Sequence, residues 1–319
     1  MKKKTSALEP LYITDKGSLF VGTSDILLTQ EPICNLKGQI GLIFTSPPFP
    51  LNRKKKYGNL QGQEYINWLS SLAPLFSEYL SEDGSIVVEL GNAWNPGLPT
   101  TSTLPLEALL QFKKTGDFHL CQEFICYNPA RLPSPVEWVN KRRNRVKDAY
   151  TRLWWLSKSP NPKADNRNIL CEYSDRMKKL LASKKYNAGK RPSEHTIGKT
   201  SFLKDHGGAI PPNVIVASNT KSNDPYLAYC RQHGVGPHPA RMPEDVSLFF
   251  IKFLTNENDW VMDPFAGSNT TGATAEKLGR RWISIEPNQS YAGGSVGRFE
   301  SITSVSIQSN RKPNSAGTH

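Results

Sequence analysis

Ile40-Gly41-Leu42-Ile43-Phe44-Thr45-Ser46-Pro47-Pro48-Phe49 starts as an apolar run and stops at two consecutive prolines. Residues 40–44 read as a short buried strand. Proline locks φ and carries no N–H, and the residue before a proline is held extended. Thr45-Ser46-Pro47-Pro48-Phe49 is therefore a rigid lip at the C-terminal end of a strand, which is where ligands sit in an open α/β sheet. The lip offers a hydroxyl, carbonyls with no neighbouring donor, and an aromatic ring. Ser46 and a carbonyl of Pro47-Pro48 suit the two hydrogens of an exocyclic amine on a planar base, with Phe49 stacked on its ring. A Pro-Pro turn in a surface loop has the same letters, so the lip needs support from elsewhere in the chain.

Working outward, the pattern predicts strands over 18–22, 85–91, 118–127 and 151–157, and helices over 65–80 and 104–112, with a short helix or turn over 25–28. The strand over 85–91 carries a carboxylate, Glu89, near its end. A helix over 244–254, a strand ending at Asp263, a helix up to Leu278 and a strand over 282–286 complete the series. Strands alternating with helices predict an α/β fold with a mostly parallel twisted sheet covered on both faces. Residues 1–16 read as a loosely attached arm, 158–236 as a loop-rich basic segment, and the Ser/Asn-rich 301–319 as a disordered tail.

The 319 residues carry a net charge of +12, and the pI is about 9.4. This balance favours a polyanionic partner, nucleic acid before membrane, because no stretch is apolar for long enough to span a bilayer. The N-terminus has no apolar core of the kind a secretory signal needs. Five scattered cysteines, Cys34, Cys121, Cys126, Cys171 and Cys230, fit a reducing cytoplasm and lack paired metal-ligand spacing, so no metal is expected. Three basic clusters suit phosphate contacts: Arg53-Lys54-Lys55 beside Tyr57-Gly58-Asn59, Lys141-Arg142-Arg143, and Lys178-Lys179.

Asp263-Pro264-Phe265-Ala266-Gly267-Ser268-Asn269-Thr270-Thr271-Gly272 follows a strand and opens a helix. Gly267 and Gly272 have P-loop spacing, but Ala273 stands where the lysine must be, and the dinucleotide fingerprint is absent. An acid opening the loop repels phosphate and welcomes a cationic amino-acid end. Glu286, 23 residues after Asp263, stands where a ribose-binding acid sits in nucleotide-type folds. The combination fits S-adenosylmethionine, its ammonium near Asp263 and its ribose on Glu286.

Together the two motifs resemble those of β-class, circularly permuted DNA methyltransferases that modify exocyclic amines. The resemblance extends to the PvuII-type N4-cytosine enzymes and covers roughly residues 17–298. It includes Arg53-Lys54-Lys55, Leu132-Pro-Ser-Pro-Val-Glu-Trp-Val-Asn-Lys141, Tyr173-Ser-Asp-Arg-Met-Lys-Lys-Leu180 and His238-Pro239-Ala240-Arg241. It implies a Rossmann-like methyltransferase fold with a catalytic half over 17–157, a target-recognition region over 158–236 and a cofactor half over 237–300. It places a flipped cytosine on Ser46, Pro47, Pro48 and Phe49, with Glu89 behind the serine. It places the cofactor's methionine end against Pro239, Ala240, Arg241, Asp263, Phe265, Gly267, Ser268, Asn269 and Thr270, and its ribose on Glu286. The family often has Gly-Asp-Ser before the first helix. Here the letters are Gly22-Thr23-Ser24-Asp25, and Asp25 is the nearest substitute near the adenine. The resemblance further implies double-stranded DNA as substrate, a short palindromic target, monomeric action in a bacterial or archaeal cytoplasm at the nucleoid, and a cognate restriction endonuclease. Carbon-5 methylation is disfavoured because no cysteine follows a proline. N6-adenine methylation and a catalytically silent DNA-binding protein remain as alternatives on the same scaffold.

Overall fold

The computed structural model describes residues 8–49, 60–217 and 224–308. Its frame is one ten-stranded sheet. In chain order the strands are β1 (Tyr12–Ile13), β2 (Gly17–Val21), β3 (Ile40–Thr45), β4 (Leu80–Gly91), β5 (His119–Tyr127), β6 (Tyr150–Ser157), β7 (Val214–Val216), β8 (Trp260–Asp263), β9 (Arg281–Glu286) and β10 (Ser306–Ile307). Across the sheet they lie in the order β7-β5-β6-β4-β3-β8-β9-β2-β1-β10. The five central strands β4, β3, β8, β9 and β2 are parallel. β6 runs antiparallel to both neighbours. Its reversal follows from its connection: the chain re-enters the sheet at the end where β5 left it, so β6 must run back.

The central strand shows how sequence sets the layers. Every residue of β3 is buried, as a near-continuous apolar run requires in a sheet covered on both faces. Ile40 and Ile43 point into one apolar layer, with the helices α2 (Gly62–Tyr79) and α3 (Leu104–Thr115). Leu42 and Phe44 point into the other, beneath α6 (Glu244–Leu254). The helical spacing at Tyr65, Leu69, Leu72 and Phe76 faces inward along α2. On the opposite side Phe250 of α6 meets Phe44 at 5.5 Å and Phe124 at 5.0 Å between ring centroids.

Three segments differ from the reading of the sequence. Residues 8–16, read as part of a loose arm, include Tyr12, which is completely buried and hydrogen-bonds Ser295 at 2.7 Å. Ser306–Ile307, read as tail, pairs antiparallel with Tyr12–Ile13. The segment 158–236 does not stand apart: Val214–Val216 extends the main sheet beside β5, and α5 (Pro225–Gln232) packs against the chain over 295–298. Between them lie a short helix, α4 (Asp175–Ser183), and a two-stranded hairpin, Gly189–Lys190 with Thr196–Ile197. No helix among the described residues is long and apolar enough to cross a membrane.

Phe250 joins α6 to two strands, so Phe250→Ala is expected to destabilise the protein by about 3–5 kcal/mol through lost burial and a cavity. The check is the denaturation midpoint in urea at unchanged slope.

Candidate active site

The C-terminal ends of β3, β4, β8 and β9 open into one cleft of about 880 Å³. Ser46, Pro47, Pro48, Phe49 and Glu89 line one part of it; Asp263, Phe265, Gly267, Ser268, Thr270 and Glu286 line another. Ala240 and Arg241 close a third side, and Asp25 stands at the edge from α1 (Ser24–Leu27). Two motifs more than 200 residues apart in sequence thus share one cavity, because β3 and β8 are neighbours in the sheet.

At the lip, Glu89 reaches Ser46: the serine hydroxyl and that of Thr151 both hydrogen-bond its carboxylate, Thr151 Oγ1 donating to Oε1 at 2.7 Å. Burial pushes the Glu89 carboxyl above the usual range, while the two hydroxyls and Arg131 oppose that shift. Phe49 lies against Gly91: a β-carbon there would stand 2.7 Å from the phenyl ring, so only glycine lets the ring settle.

At the opposite wall, both oxygens of Asp263 are held. Thr45 Oγ1 donates to Oδ1 at 2.8 Å, the Phe265 N–H to Oδ1 at 3.1 Å, and Thr271 Oγ1 to Oδ2 at 2.7 Å. Burial raises its pKa to about 6 against those three donors. Glu286 accepts the Gly267 N–H at 2.8 Å and the Asn288 N–H at 2.9 Å, and burial raises it to about 7. Gly267 has φ +54°, the left-handed region that favours glycine, and packs close to the His238 ring. Phe265 is braced by Trp68, edge-on at 5.7 Å.

Two residues assigned to the cofactor stand elsewhere. Asn269 is completely buried behind the loop and does not line the cleft. It caps α7 (Thr270–Lys277) by accepting the Gly272 N–H at 3.2 Å, accepts Ser284 Oγ at 2.7 Å, and donates to the Tyr12 hydroxyl at 2.9 Å. An N-cap needs a short side-chain acceptor, and that requirement uses the asparagine. Pro239 is also absent from the cleft wall, although its neighbours His238 and Ala240 line it.

The sequence reading missed several participants. Thr45 holds Asp263 and Thr151 holds Glu89. His238 and Tyr291 meet edge-on at 4.8 Å on the wall of the cleft. Arg298 donates to the Ser268 carbonyl at 2.7 Å and pairs with Asp224 at 3.1 Å, while Asp224 also pairs with Arg241 at 3.3 Å. Thr45 could have been found from its place beside Ser46. Arg298 and Asp224 carry no local signal.

Of the basic residues, Lys141 and Arg142 pair with Glu137, and Arg142 also covers the Trp138 ring at 4.9 Å. Arg143 and Lys179 are exposed, and Lys178 pairs with Glu172. Arg53, Lys54 and Lys55 lie outside the described residues. No group of His, Cys, Asp and Glu among the described residues is arranged to hold a metal.

Removing the Thr45 hydroxyl takes one donor from the charged form of Asp263. Thr45→Val is expected to raise the titration midpoint of Asp263 from about 6 by about one pH unit, the equivalent of about 1.5 kcal/mol for a hydrogen bond to a charged group. Carbon-13 NMR titration of the Asp263 carboxyl checks this.

Comparison with known proteins agrees with this geometry. The family described as DNA methylase, the N6/N4 group, matches residues 40–295. The Type II methyltransferase M.PvuII of Proteus hauseri is 47% identical over 293 residues, 91% of this chain and 86% of that protein. The Type II methyltransferase M.ScaI of Streptomyces caespitosus is 26% identical over 89% of this chain and 84% of its own length. Among solved structures, the PvuII DNA methyltransferase (cytosine-N4-specific) superposes with a TM-score of 0.71 at 39% identity, covering 95% of this chain and 91% of that one. A putative DNA modification methylase from Thermus thermophilus, complexed with S-adenosyl-L-methionine, covers 88% of this chain and 93% of its own. Its TM-score of 0.53 at 17% identity speaks for the fold alone. The chain belongs to the N6/N4 DNA methylase family.

Proposed function

We propose that this protein is a site-specific DNA methyltransferase that moves a methyl group from S-adenosylmethionine to the N4 amine of a cytosine turned out of a DNA duplex. One observation carries the reading: the Ser46-Pro47-Pro48-Phe49 lip, backed by Glu89, shares a cleft with two buried carboxylates, Asp263 and Glu286. That donor set fits the cofactor, because Asp263 suits a cationic amino-acid end and Glu286 suits ribose hydroxyls. The bound cofactor supplies a methyl group already activated on a sulfonium.

The rest falls to the chain. Cytosine's amine is a poor nucleophile because its lone pair is conjugated with the ring. Ser46 and the Pro47 carbonyl accept its hydrogens and turn the nitrogen toward tetrahedral geometry, while Phe49 fixes the ring plane. The lone pair forms the new N–C bond as the C–S bond breaks. The surplus amine proton then leaves through Ser46 toward Glu89, whose buried carboxylate is more basic than usual. Most of the acceleration comes from alignment. The base must leave the stack to reach the lip inside the cleft.

The cleft also argues against carbon-5 methylation. Cys126 lies on its wall, but burial pushes the thiol up to about 11, so the thiolate that such chemistry needs is scarce at neutral pH. We further propose that the protein acts as a monomer in the cytoplasm of a bacterial or archaeal cell, at the nucleoid. In this reading it protects host DNA from a cognate restriction endonuclease, reads bases through 158–236, and meets phosphates with Arg53, Lys54, Lys55, Lys141, Arg142, Arg143, Lys178 and Lys179.

The reading is tested by incubating protein, S-adenosylmethionine and unmodified genomic DNA, then sequencing for modified bases and identifying them by mass spectrometry. N4-methylcytosine at one short recurring motif is expected. N6-methyladenine would overturn the assignment of the lip, and no modification with cofactor bound would favour a silent DNA-binding protein. Ser46→Ala is expected to slow transfer by about a hundredfold or more while cofactor affinity stays within about twofold; equal loss of both would remove Ser46 from the chemistry.

Cofactor affinity should also depend on pH. Below their midpoints of about 6 and about 7, Asp263 and Glu286 are neutral and offer no charge to a cationic ligand. Affinity is expected to rise by about tenfold or more between about pH 5.5 and about pH 7.5 as both ionise. Calorimetric titration across that range checks it, and a flat profile would sink the assigned carboxylate roles.

A further inference from the structure

Turning a base out of a duplex leaves a gap in the stack that some group must fill. Among the described residues, Leu132 is the one large apolar side chain that is both exposed and on the wall of the cleft. It is 80% exposed. We propose that Leu132 enters the duplex beside the target and occupies the place the cytosine vacates.

The loop 128–149 supports this assignment. It joins β5 to β6 at the end of the sheet where Ser46 and Glu89 stand, and its residues Asn128, Arg131, Leu132 and Asp148 line the same cleft. It is braced at its base. The Asn128 N–H donates to the Ala149 carbonyl at 2.8 Å and the Asp148 N–H to the Ser134 carbonyl at 3.0 Å. Lys147 Nζ reaches the carbonyls of Pro129 and Arg131 at 3.0 and 3.1 Å. Leu132 sits between Arg131, whose carbonyl is pinned, and Pro133, which holds the leucine backbone extended. An apolar side chain is thus presented to water on a supported arm. The same loop carries exposed Lys141, Arg142 and Arg143, so the surface around it suits a polyanion. Apolar wedges that enter base steps and offset lost stacking are an established means of deforming DNA.

The proposal rests on the methyltransferase reading, and the test separates the two. Cognate duplexes, with the site taken from the modification sequencing, carry pyrrolocytosine at the target, a fluorescent cytosine analogue that brightens when unstacked. In the presence of S-adenosylmethionine the wild-type protein is expected to brighten it. Leu132→Ala is expected to lose most of that enhancement and to bind cognate duplex about tenfold more weakly, with less than twofold change on a duplex lacking the site. Leu132→Met should restore both. If Leu132→Ala keeps the full enhancement, or if affinity falls equally for cognate and non-cognate DNA, Leu132 is an ordinary groove contact and the proposal is overturned. If the wild-type protein methylates no cytosine, the methyltransferase reading itself has failed.

Discussion

The hydrogen bond from Thr45 to Asp263 ties the two halves of the site together. Thr45 is the last residue of β3 and the one before Ser46; Asp263 is the last residue of β8 and opens the loop that leads into α7. The two strands are parallel neighbours in the middle of the sheet, so their C-terminal ends lie side by side. A displacement of the lip therefore pulls on a carboxylate of the opposite wall, and the reverse. Pro47 and Pro48 stiffen one side of this junction, and the Phe265 and Thr271 donors fix the other.

This geometry makes sense of the chain's order of motifs. In a parallel sheet, what decides chemistry is which strand ends are adjacent, and the sheet places β3 beside β8 although most of the sequence lies between them. Opening the chain at another surface loop leaves those neighbours unchanged. The first and last strands of the described chain lie beside each other, since β1 pairs with β10. The price of that arrangement is small: a two-residue strand pair at the edge of the sheet.

Much of the site was legible in the sequence because its information is local. A buried strand followed by Ser-Pro-Pro, and a strand followed by an acid and small residues, each specify their own backbone. The parallel core and the inward face of α2 follow from period and composition. What was not legible depends on partners that meet only in three dimensions. Asn269 has the same letter whether it faces a ligand or caps a helix; only its contacts with Tyr12 and Ser284 decide. The direction of β6 depended on where a 22-residue connection returned to the sheet, which no local pattern encodes. The Arg298–Asp224–Arg241 network joins residues far apart in sequence, and it ties the start of α5, inside the segment read as target-recognition region, to the loop after β8. Tyr12 read as part of a loose arm because so short a strand shows no period.

The same buried carboxylates that line the site weigh against folding as the pH rises. Asp263 and Glu286 have folded-state pKa values of about 6 and about 7, above the ordinary 3.8 and 4.5. Between those limits the folded chain holds more protons than the unfolded one. Their protonation therefore supports folding fully below about pH 4, and that support is lost as pH rises through about 6 and about 7. At neutral pH the chain keeps two acids near ionisation inside a cavity, and their hydrogen-bond partners among the described residues are backbone N–H groups and hydroxyls rather than cations. A ligand that brings positive charge and hydroxyl donors meets both deficits at once. An anionic nucleotide would deepen that deficit, while a cationic nucleoside relieves it.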